Sequence, residues 1–126
     1  MPVSSDVVEH VLDIYAQATR ANHETAGRKG LVVGVSLENA DEVMVTADLH
    51  GHRRNFERLV KIADLDAHPR RHLIMQEVCH GGPKYPTTGG CMSHLLIEDV
   101  AALKARYTDR FHFILSNHVV IQSFVS

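Results

Sequence analysis

A chain of 126 residues with 44% hydrophobic and 22% charged side chains is sized for one soluble domain with a real core, which excludes a disordered or fibrous class. Its net charge of −2, with ten histidines neutral, gives no basic field for nucleic acid or an anionic membrane. Asp6, Glu9 and Asp13 interrupt the apolar positions of the first residues, and no apolar run reaches bilayer length. The expectation is therefore a cytoplasmic protein, with Cys79 and Cys91 as reduced bystander thiols.

Val7, Val8, Val11, Leu12, Tyr15 and Ala18 recur at helical spacing, and Asp6 with Glu9 suggests a capping box. This predicts an amphipathic helix to about residue 20, followed by a polar connector over residues 21–30. Residues 31–37 predict a strand, residues 38–41 a turn, and the apolar run from Glu42 a second strand ending in Asp48. Phe56, Leu59, Val60 and Ala63 share one face of a predicted helix over residues 53–64. Residues 72–76 predict a buried strand, followed by a loop over residues 79–90 with four glycines and two prolines. Leu96, Val100, Leu103 and Tyr107 align on a helix over residues 93–107, and residues 111–115 predict a last strand. Strand, helix, strand, helix, strand argues an α/β fold with a mainly parallel sheet flanked by helices.

The chemistry concentrates at two strand ends. The first predicted strand of this series closes in Asp48-Leu49-His50-Gly51-His52, and the last leads into Ser116-Asn117-His118. Oxygen and nitrogen donors at the carboxyl ends of parallel strands are placed where α/β folds bind ligands, and they suit a divalent metal. Each residue also has a plainer role. Asp48 suits a helix cap, His50 a surface position, Asn117 a turn and His52 a helix start.

The order of these blocks resembles the calcineurin-like metallophosphoesterases, nearest the serine/threonine phosphoprotein phosphatase branch. That family carries G-D-x-H-G, G-D-x-x-D-R-G and G-N-H-[ED] at successive strand ends. Here the first block reads Ala47-Asp48-Leu49-His50-Gly51 and the third Ser116-Asn117-His118, and residues 103–112 resemble the family's helix-to-strand passage. The likeness runs from about residue 43 to residue 118. It divides the chain into an amino-terminal helix, connector and strand (1–41), the amino-terminal half of a metallophosphoesterase core (42–118), and a short tail (119–126). The fold it implies is a partial calcineurin-like sandwich.

The resemblance implies two divalent metal ions (Mn, Fe or Zn). Asp48 and His50 would hold one, Glu77 would bridge, Asn117 would hold the other, and His118 would protonate the leaving oxygen. The substrate would be a phosphorylated protein or small phosphomonoester. The middle block departs from the family: residues 76–83 place Glu77 for an aspartate, His80 for a second aspartate and Gly81 for an arginine. The extra methylene of Glu77 moves its carboxylate by about 1.5 Å, and a glycine offers no fork to a phosphate. His80 and His52 are expected beside the ligands rather than among them. Further family ligands lie beyond the Asn-His pair, where this chain has residues 119–126. Val120, Ile121, Phe124 and Val125 there are expected to pack back on the core or to pair with a second copy.

These features lead to a metal-dependent phosphoesterase. One alternative is a catalytically weak or inactive pseudophosphatase or binding module, or a fragment of a longer phosphatase, favoured by His80, Gly81 and the absence of the family's second half from this sequence. The D-x-H-x-H pattern also resembles metal-dependent hydrolase barrels, against which the length counts, since a barrel takes about 250 residues.

Overall fold

Serine, aspartate and a run of good helix formers open the first element, and the backbone follows them. The computed structural model describes residues 4–76, 78, 84–87, 89 and 93–114. Helix α1 spans Ser5–Glu24, with the Ser4 hydroxyl accepting the Val7 N–H at 3.3 Å. Ser4, not the Asp6–Glu9 pair, is therefore the cap; Asp6 sits in the first turn, where the helix dipole favours a carboxylate. The helix runs about a turn past the expected end, and its buried side chains are Ala18 and Ala21. Val7, Val8 and Leu12, expected inside, are exposed. Small alanines let the carboxyl-terminal half approach the helix over residues 93–106, while the amino-terminal half carries its valines beyond that contact.

A second departure follows. The expected strand over residues 31–37 is reduced to β2 (Val32–Val33), paired antiparallel with β1 (Arg28–Lys29). Gly27 and Gly30, both at positive φ, turn the chain, and the Gly34 N–H returns to the Gly27 carbonyl at 3.0 Å. Asn39 and Ala40 then donate to the Ser36 carbonyl, closing a turn. Leu31 and Leu37 stand in solvent. An apolar run alone does not make a strand of the main sheet; between the turns at Gly27–Gly30 and at Ser36, only Val32 and Val33 pair, and with β1.

The remaining elements match the predicted order: β3 (Glu42–Asp48), α2 (Arg53–Ala63), β4 (Arg71–Gln76), α3 (Ser93–Arg106) and β5 (Phe111–Ile114). The strands form a parallel sheet in the order β3-β4-β5, so the described residues make an α/β fold with three helices and a three-stranded parallel sheet. Asp64, at φ 44°, ends α2 in the left-handed conformation and donates its N–H to Val60. Arg110 gathers the next turn, its guanidinium donating to the carbonyls of Leu65, His68 and Arg71. No helix among the described residues is long and apolar enough to cross a membrane.

The two faces of the sheet differ. Leu73 and Met75 on β4 and Phe111 on β5 are fully buried under α2 and α3, with Phe56, Leu96 and Leu103. On the opposite face, Val43, Val45 and Ile114 are exposed. Both cysteines and the expected packing of residues 119–126 lie outside the described residues.

This asymmetry sets a stability test. Leu73→Ala should cost about 2–5 kcal/mol through lost burial and a cavity, whereas Val45→Ala should change stability by about 0.5 kcal/mol or less. Urea denaturation of both variants checks it; comparable losses would mean that the exposed face is covered in solution.

Candidate functional site

The register of the sheet is the starting point. Asp48 pairs with Gln76, and Gln76 with Ile114, so three parallel strands finish at one level along one edge. Between Val45 and Asp48 the register slips, because β3 spends an extra residue there. Strict alternation from Met44 and Thr46 would turn Asp48 onto the helix-covered face. The bulge breaks that alternation and leaves Asp48 exposed. The Gln76 side-chain amide donates to the Thr46 carbonyl at 2.8 Å, bracing the irregular backbone.

Beyond the strand, Leu49 plugs the core, and His50 and Gly51 take positive φ values of 47° and 75°. The Gly51 N–H reaches the Val78 carbonyl at 2.9 Å, tying this turn to the segment after β4. The turn brings His50 Nε2 to 3.6 Å from an Asp48 carboxylate oxygen, both side chains partly in water. The two donors thus do converge. His50 lies past the strand, and the bulge and the left-handed turn bring the two together.

His52 occupies the cap position of α2, although its side chain makes no capping hydrogen bond. The plainer reading of Asp48 as that cap is thereby set aside, and His52 is the helix-start residue. Arg53 follows with a two-pronged ion pair to Asp99, at 2.6 and 2.9 Å, which fixes the start of α2 against α3. The expected positions Glu77, His80, Asn117 and His118 lie outside the described residues. Among the described residues no group of three or more His, Cys, Asp or Glu side chains converges, so Asp48 and His50 stand as a two-donor arrangement.

A second polar cluster escaped the sequence reading. His72 and His112 face each other across β4 and β5, with Nδ1 of His72 and Nε2 of His112 at 3.0 Å and the rings stacked. His72 Nε2 lies 3.3 Å from the Asn39 carbonyl, which can only accept, so the proton of His72 sits there. Its Nδ1 is then the acceptor for His112 Nε2–H. The chain of tautomers ends at His112 Nδ1, a buried acceptor with no partner among the described residues. Lys104 lies close by, 2% exposed, donating to the carbonyls of Thr108 (2.6 Å) and Phe111 (2.9 Å). The available signal was two ionisable residues in otherwise apolar strands.

Burial sets the titration of this cluster. Desolvation, with the charges of Lys104 and His72, pushes His112 down to about 4, and Asp109 opposes only weakly. His72 is lowered as well, chiefly by burial and against its bond to Asn39. Burial likewise brings Lys104 down to about 8.

A histidine lowered in the folded state binds its proton more readily when unfolded. The stability it contributes is complete above the unfolded value near 6.5 and drains away as pH falls toward 4. The stability lost between pH 7 and pH 4.5 should therefore include a part from His112, on the order of 1–3 kcal/mol. His112→Leu should flatten that part of the pH profile in urea titrations; an unchanged slope would mean that His112 titrates normally.

The chain matches no protein-family model, no curated protein and no solved structure.

Proposed function

We propose that this chain is a calcineurin-like, metal-dependent phosphoesterase of the phosphoprotein phosphatase kind. The observation that carries the reading is the common level of the three parallel strand ends, with Asp48 and His50 brought together at the first of them. The β-α-β-α-β order of Glu42–Ile114 is the one in which the family's blocks occur, each following a strand.

The donors fit the expected metals. A carboxylate oxygen and an imidazole nitrogen suit Mn, Fe or Zn, and both are accessible to a cation from solvent. In this reading Asp48 and His50 would hold the first ion, Asn117 would contribute to the second, and Glu77 would serve both. Bound divalent ions would supply an activated water and neutralise the phosphoryl oxygens. His118 would hand a proton to the departing oxygen, and the bulge before Asp48 would fix the carboxylate outward. Gly81, standing for an arginine, leaves the phosphate without a two-pronged donor at that position. Turnover should accordingly be slow.

A second reading keeps the metal and drops the turnover: a binding module in which His80 and Gly81 have replaced catalytic groups. The two part in one experiment. Mn²⁺ binding, followed by calorimetry, should weaken at least about tenfold in Asp48→Asn, a loss of about 1.4 kcal/mol or more. Slow Mn²⁺-dependent hydrolysis of p-nitrophenyl phosphate, abolished by His118→Ala, supports the enzyme. Binding without hydrolysis supports the module, and no difference between Asp48→Asn and the parent overturns both.

A further inference from the structure

The open face of the sheet is not bare along its whole width. The β1–β2 ladder and the segment after it arch over β4 and β5 and border an open cavity of about 640 Å³. Leu31, Val33, Val35 and Ile74 supply apolar walls, and Lys104, Arg28, Asn22 and His112 supply polar groups. This cavity shares no residue with the Asp48–His50 pair.

Its polar groups are one-sided. Among the described residues two cations line it and no carboxylate does. Arg28 is close enough to Lys104 to disfavour the ammonium's charge, so like charges are held near each other. Asp109, the nearest acid to act on Lys104, already accepts the Ala26 N–H at 2.8 Å, and it lines a different cavity. Lys104 has a structural task at the end of α3, where it meets two carbonyls past the last turn. An ammonium has three hydrogens, and those bonds use two. Beside it, His112 presents Nδ1 as a buried acceptor without a donor among the described residues. A buried polar atom in that condition carries an uncompensated desolvation cost. The missing complement is therefore an anion for Lys104 and Arg28, a hydrogen-bond donor for His112, and an apolar body for the walls.

We propose that this cavity binds a hydroxylated aliphatic carboxylate, its carboxylate on Lys104 and Arg28, its hydroxyl donating to His112 Nδ1, and its chain along Leu31, Val33 and Val35. An aliphatic carboxylate suits the site better than inorganic phosphate, which has no apolar body to lay along Leu31, Val33 and Val35. The unbound imidazole relay, anchored at Asn39, fixes which nitrogen of His112 accepts. Discrimination between a hydroxy acid and the plain acid follows from that tautomer.

Side-chain ¹H–¹⁵N spectra of the histidines report on the site directly. Titration of the full chain with 2-hydroxyoctanoate should shift the His112 Nδ1 resonance saturably. Octanoate should bind roughly tenfold more weakly, as the cost of leaving the acceptor unpaired requires, and 1-octanol or inorganic phosphate should not saturate. Arg28→Gln, on a half-buried two-residue strand, should weaken 2-hydroxyoctanoate several-fold while the chain stays folded; Lys104→Met should weaken it further where it folds. The proposal is overturned by any of three results: no saturable shift at His112, equal affinity for octanoate and 2-hydroxyoctanoate, or undiminished binding in Arg28→Gln.

Discussion

Three parallel strands held in one register are the constraint on which the other features depend. Once Asp48, Gln76 and Ile114 are aligned, the intervening chain must cross back over the sheet each time. Helices α2 and α3 make those crossings, and they bury the side of β4 and β5 that carries Leu73, Met75 and Phe111. The crossings also send every strand end to the same edge. A parallel sheet ordinarily covers both faces. Here the second face is left to a short ladder, and that division separates the Asp48–His50 edge from the cavity beneath Val33 and Val35.

The sequence carried the elements whose periodicity and tertiary setting agree. Phe56, Leu59, Val60 and Ala63 specify one helix face and also contact the core, so α2 was legible to within a residue. Residues 31–37 failed because β-branched composition says what a strand prefers and not whether a partner edge exists. The valines of α1 failed for a related reason: helical spacing identifies a face, but α3 meets only the part of it built from alanine. Asp48 and His50 were found together on an incomplete argument. A bulge between Val45 and Asp48 has no signature in one sequence, and positive φ at His50 is not indicated by a histidine.

Polar burial is the second theme of the structure. Lys104, His72 and Thr46 are all buried, and among the described residues only the side chains of the first two find partners. The ammonium of Lys104 is held by backbone carbonyls past the end of α3, where the helix dipole also favours a cation. The imidazoles remain neutral because burial opposes a charge on either ring. Keeping a cation beside neutral rings, with no acid among the described residues that line the same space, is an arrangement that hydrophobic packing alone does not produce.

The ladder over the cavity is secured by main chain rather than by side chains. A Cβ at Gly27 would collide with the carbonyl oxygen of Gly34, and that close approach holds the two glycines together. Gly30 has open space around it, and Leu31 beside it touches little. The frame and the rim are thus mutationally uncoupled. Gly27 admits no substitute, while residues at the tip are free to drift in size and polarity without disturbing the sheet. Divergence among descendants of this chain would then accumulate at the mouth of the cavity, altering what enters and leaving the scaffold that presents it untouched.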